Sequence, residues 1–92
     1  MNANDREQLR LSLLRFLDAA VKSDRPLAES LLLQMAKAEG RPELTIGELR
    51  GELDYLAGKG LIITPAKIIS PENRQWKITS AGRDEYAQLI PE

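Results

Sequence analysis

The 92-residue chain has no cysteine and no histidine. Those absences remove thiolate chemistry, disulfides, the usual zinc ligand sets and the side chain most often used for proton transfer near neutral pH. No apolar run approaches the roughly 18–20 residues needed to span a bilayer. The opening Met1-Asn2-Ala3-Asn4-Asp5 also lacks the basic-then-apolar layout of a signal peptide, so no membrane partner is expected and the default location is cytoplasmic. An excess of charge is missing too: 13 basic residues face 14 acidic ones, for a formal net charge of −1. With no bulk positive field, any nucleic-acid-binding surface must be local.

What remains, 42% hydrophobic and 29% charged residues, is the composition of an ordinary globular protein. The length suits one small domain over residues 1–92 with a modest core, a size at which chains often lean on an oligomer partner. The best-defined stretch runs from Leu44 to Ile63. Thr45 and Glu48 form a capping box, Leu44 and Leu49 have the spacing of a hydrophobic staple, and Gly60 followed by Leu61 marks the stop. Between them Ile46, Leu49, Leu53 and Leu56 make one apolar stripe. The opposite face carries Gly47, Gly51 and Gly58, flanked by Glu48, Asp54 and Tyr55, with Arg50 towards one border. Each mid-helix glycine costs roughly 0.8–1 kcal/mol relative to alanine. Either a partner's backbone comes close here or the helix tolerates them.

A first helix is expected from about Asp5 to Lys22, started by Asn4 with Glu7 and seated by Leu9, Leu13, Phe16, Leu17 and Ala20. Leu11, Leu14 and Val21 widen its apolar arc, which serves either the domain's own core or a dimer contact. Asp24 ahead of Pro26 reads as the start of a second helix, with Leu27, Leu31, Leu32, Met35 and Ala38 inward and Gly40-Arg41-Pro42 at its end. The short linker to Leu44 makes helices two and three a helix-turn-helix pair. Leu61 to Ile69 reads as an edge strand, Ser70 to Asn73 as a turn, and Arg74 to Thr79 as a strand with Trp76 and Ile78 on one face. A short last helix, Arg83 to Ile90, follows a cap within Thr79–Gly82. The fold class is therefore mainly α, a winged helix-turn-helix with a three-helix core, a two-stranded β-wing and a short C-terminal helix. Leu13, Phe16, Leu17, Leu31, Leu32, Met35, Ile46, Leu49, Leu53, Leu56, Leu61, Trp76 and Ile78 are expected inside.

The pattern Leu53-x-x-Leu56-x-x-x-Gly60-Leu61-Ile62, followed by Trp76-x-Ile78-Thr79-x-x-Gly82-Arg83, resembles the core signature of winged-helix regulators. From Asp5 to about Leu89 the chain is similar to a family of small winged-helix proteins of Mu-like bacteriophages and prophages. In that family an arginine usually follows the early hydrophobic residue of the third helix, where this chain has Leu49-Arg50. The resemblance implies a DNA-binding or regulatory role inside a bacterial host cell.

The third helix nonetheless departs from a sequence reader. Its outward face is mostly glycine and acidic residues, and Thr45 to Lys59 carries a net charge of −1. Arg50 is its one candidate base reader. From Lys67 to Arg83 the net charge is +3, and Lys67, Arg74 and Lys77 can grip phosphates or simply guard an edge strand. With Tyr55 on the third helix, these residues (Arg50, Tyr55, Lys67, Arg74, Lys77) are the candidate DNA contacts. Trp76 is either a core plug or a platform for a base. Glu48 and Glu52 stand four residues apart without a histidine or phosphate loop, and Ser12, Ser30 and Ser80 have no base to activate them. No catalytic, metal or cofactor site is expected, and the protein is read as a non-enzyme. Two functions stay open: a dimeric transcription factor on double-stranded DNA, or a protein-interaction module that seats a partner on the face of Gly47, Gly51 and Tyr55.

Overall fold

A computed structural model describes residues 2–65 and 73–90. Helix α1 spans Ala3–Ala20, and its cap is Asn2, whose Oδ1 accepts the Asp5 N–H at 2.9 Å. The expected cap, Asn4, lies inside the helix. A 3-10 turn, Val21–Ser23, extends α1 and ends at Asp24, which has φ +52°. Asp24 therefore closes the first helix and does not start the second. Asp tolerates this left-handed conformation better than most residues.

Leu27–Ala28 then form strand β1, where the sequence suggested the opening turn of a helix. Helix α2 spans Glu29–Ala38 with Ala28 at its N-cap and no local side-chain cap. Its first amides are satisfied from far along the chain: Glu29 N–H donates to the Arg74 carbonyl at 2.9 Å, and Ser30 N–H to Asn73 Oδ1 at 3.0 Å. Tertiary structure supplies the cap that the local sequence lacks.

Helix α3 spans Ile46–Gly58, and both bonds of the expected Thr45–Glu48 capping box are present. It ends as α2 does. In α3 the Gly60 N–H donates to Ala57 O and the Leu61 N–H to Leu56 O; in α2 the Gly40 N–H donates to Lys37 O and the Arg41 N–H to Ala36 O. These are two Schellman motifs, each turning on a glycine at positive φ.

Strands β2, Ile62–Ile63, and β3, Gln75–Ile78, complete an antiparallel sheet in the order β1-β3-β2. Leu27 pairs with Trp76, Ala28 with Gln75, Ile62 with Ile78 and Ile63 with Lys77. Three strands replace the expected two, and β3 is central. The expected continuation of the β2 strand to Ile69, most of the turn after it and Lys67 fall outside the described residues. Helix α4, Ser80–Leu89, starts three residues before the expected Arg83 because Thr79 caps it through the Gly82 N–H. Gly82 is a packing requirement: a Cβ there would overlap the Leu61 carbonyl and stand 2.7 Å from Ile78 Cγ1.

The core joins Leu9, Leu13, Leu14 and Leu17 of α1 to Leu32 and Ala36 of α2 and to Leu49, Leu53 and Leu56 of α3, with Leu44, Ile62, Trp76 and Ile78 around them. Helix α1 packs against α2, α3, α4 and β3, so contacts within the chain use much of its wide apolar arc, including Leu14. Two expected core residues, Leu31 and Ile46, are exposed, and Phe16, Met35 and Leu61 are only partly buried. The inward arc of α3 is Leu49, Glu52, Leu53 and Leu56, and that of α2 is Glu29, Leu32 and Ala36. A carboxylate therefore occupies a core-facing position on each helix, and Ile46 and Leu31 are left at the rims.

Candidate nucleic-acid interface

Helix α3 leaves its outer face to solvent. Nothing in the described chain lies within 4 Å of where a Cβ would stand at Gly51 or Gly58, and neither has a positive φ, so the fold does not require glycine at either position. From the helical period, Arg50 and Tyr55 sit on opposite borders of this face.

On the Arg50 border the organising group is Glu29, at the first position of α2 and fully buried. Its Oε1 accepts from Arg50 Nε at 3.1 Å, and its Oε2 accepts from Trp76 Nε1 at 3.1 Å and from Arg74 Nε at 3.0 Å. Arg74 Nη2 also lies 3.0 Å from Oε2, while its Nη1 meets Asp54 at 3.1 Å. Burial pushes the Glu29 carboxyl upward, but the hydrogen bonds from Trp76, Arg74 and Arg50 outweigh it and hold the group below the usual carboxylate range. Burial alone would lower the Arg74 pKa, yet Glu29 and Asp54 raise it, so this guanidinium stays charged. Among the described residues no buried side-chain nitrogen or oxygen lacks a hydrogen-bond partner.

The other border is built on Glu52, buried on α3, which accepts from Arg10 Nε of α1 at 2.7 Å. The same guanidinium lies over the Tyr55 ring, 3.8 Å from its centroid, and Lys59 Nζ stands 5.2 Å from that ring. These are cation–π distances. Tyr55 itself is 41% exposed.

The four described candidate contacts thus have different surroundings. Arg50 and Arg74 meet at Glu29, and Tyr55 stands apart from them under Arg10. Lys77, on β3, faces Asp24 at 3.3 Å. Lys67 lies outside the described residues. Arg83, counted in the same basic window, pairs with Asp18 at 3.4 Å. The three described basic residues of that window, Arg74, Lys77 and Arg83, are therefore met by carboxylates from distant segments: Glu29, Asp54, Asp24 and Asp18. Trp76 is 3% exposed and belongs to the core, so its ring offers no platform for a base.

Sequence reasoning missed Glu29 and Arg10. The available signal was an acidic residue on an apolar stripe: Glu29 precedes Leu32 and Ala36 by three and seven positions, and Glu52 sits between Leu49 and Leu56. A charge at such a position needs a partner. No group of three or more residues suited to hold a metal occurs among the described residues, and none of their helices is long and apolar enough to cross a membrane.

The fold is similar to that in the crystal structure of the "putative transcriptional regulator TA0346" from Thermoplasma acidophilum. The TM-score is 0.76 over 96% of this chain and 80% of that one, at 17% sequence identity, a likeness of fold. No family model matches the chain, and no curated protein matches its sequence.

Proposed function

We propose that the chain is a winged helix-turn-helix regulator that binds double-stranded DNA. In this reading α2 and α3 form the helix-turn-helix, α3 faces the major groove, and the segment joining β2 to β3 is the wing. The observation that carries the reading is the shared fold across 96% of the chain with a protein named as a transcriptional regulator. The geometry supports it. Helix α3 keeps the space over Gly51 and Gly58 clear of the rest of the described chain, with Arg50 and Arg74 along one border and Arg10, Tyr55 and Lys59 along the other.

Arg50 is the base reader, Tyr55 a groove-side contact, and Lys67, Arg74 and Lys77 the phosphate contacts. Each nitrogen of Arg74 has a carboxylate acceptor within the chain, so more of the phosphate attraction falls to Lys67 and Lys77. The partner of Lys77, Asp24, is 90% exposed, and such a solvated pair exchanges easily for a phosphate. The regulator works as a two-fold pair that meets through the first helix together with the last, with support from the exposed Val21 in the 3-10 extension of α1 and from Leu89 and Ile90 at the end of α4. The phage or prophage setting rests on the sequence resemblance.

A second reading, a protein-interaction module with no DNA readout, is favoured by the open space over Gly51 and Gly58. A titration of labelled duplex separates the two. DNA binding should weaken steeply with salt, and changing Lys67 and Lys77 together to alanine should reduce the salt slope by about 2. Absence of binding near about 50 mM salt, where phosphate contacts are strong, would overturn the DNA reading. Loss of a partner protein on Gly51→Leu in a chain that never binds duplex would establish the second.

A further inference from the structure

Glu29 bonds two arginines from separate parts of the chain, Arg50 on α3 and Arg74 immediately before β3. Each takes its own oxygen, Oε1 for Arg50 and Oε2 for Arg74, so a single rigid carboxylate fixes their separation. Trp76 Nε1 and the core around it fix the carboxylate in turn. With Asp54 included, two carboxylates face two guanidiniums among the described residues, and these four groups together add no net charge. Sequence-independent attraction to a duplex grows with the number of phosphates neutralised, whereas discrimination between sequences depends on donors held in place. A paired, immobilised arginine is poor at the first task and suited to the second.

We infer that Glu29 is a positioning and specificity-determining residue, which sets the spacing of Arg50 and Arg74 for a duplex and holds down their sequence-independent attraction to phosphate. The inference rests on the DNA-binding reading above.

Glu29→Gln tests it, because the amide keeps the shape and its oxygen can still accept the Trp76 N–H, while the charge is gone. The probes are a random-sequence duplex and a duplex selected from a random pool by the unaltered protein. The variant should bind random duplex about 3–10-fold more tightly at low salt, with a salt slope steeper by about 1–2. Its preference for the selected duplex should fall about tenfold or more. A purely structural role predicts equal weakening on both duplexes in step with the unfolded fraction, at unchanged slope, and that result would overturn the inference alone.

Should Glu29→Gln fail to fold, a cycle of Arg50→Gln, Arg74→Gln and their double variant decides. Their effects on duplex preference should depart from additivity by about threefold or more, and additive effects would overturn the inference. If the unaltered protein binds no duplex, the DNA reading fails and this inference falls with it.

Discussion

The two borders of α3 use the same chemistry, a buried glutamate facing arginine, but they differ in reach. Glu52 joins α3 to α1 through Arg10, with Arg6 at 4.0 Å as a loose second partner. Glu29 joins α2, α3 and β3 at once, through donors 21, 45 and 47 positions away in sequence. A carboxylate with one close cation ties only two elements together, so losing that cation frees a single contact. A fully buried one with three donors holds a three-way junction, and removing it takes one acceptor from each of two guanidiniums and from an indole N–H.

The most severe way to test this contrast is to delete the hub. Glu29→Ala should destabilise by about 3–5 kcal/mol, the range for removing one partner of a buried ion pair, as read from urea unfolding. Glu52→Ala breaks a single strong charged hydrogen bond and should cost about 1.5–3 kcal/mol in the same assay. Equal losses at the two sites would show that the number of donors is irrelevant.

Acidification sharpens the contrast further. The folded pKa of Glu29 lies below the ordinary value of 4.5, so its contribution is complete above that value and vanishes as pH falls through the folded pKa. Between pH 4.5 and the lower folded value the unaltered protein should lose stability faster than Glu29→Gln. Glu48 is also lowered, chiefly by the Thr45 backbone N–H, but it titrates in both proteins and cancels from the difference. Parallel acid melts of the two proteins would remove Glu29 as the source.

The smallest effect has the opposite sign and concerns the surface between the borders. Gly51→Ala meets no atom within 4 Å, so it should stabilise by about 0.4–1 kcal/mol in thermal melts. If stability rises while duplex or partner affinity falls, the glycine serves binding. A loss of stability would mean that the helix itself needs it.

How legible each part was in the sequence follows from how local its determinants are. Both ends of α3 were readable because Thr45–Glu48 and Gly60–Leu61 act within one turn. Strand β1 was not, since two residues carry no periodicity and Leu27 finds its partner at Trp76. The start of α2 was misplaced for the same reason, its amides being satisfied by Arg74 and Asn73. At the candidate interface the residue types were legible but their pairing was not. A charge count along a window sees Arg74 and Lys77 without the carboxylates that fold back onto them.

Trp76, the single tryptophan of the chain, donates its indole N–H to the same carboxylate that holds Arg50 and Arg74, and the Arg74 guanidinium lies 5.0 Å from its ring. Indole emission responds to nearby charge and to the hydrogen bond at its nitrogen. The protein therefore carries its own optical reporter at the junction of α2, α3 and β3. A ligand that draws either arginine from Glu29 should shift the emission maximum or intensity without any label, and one that docks elsewhere should leave the spectrum unchanged.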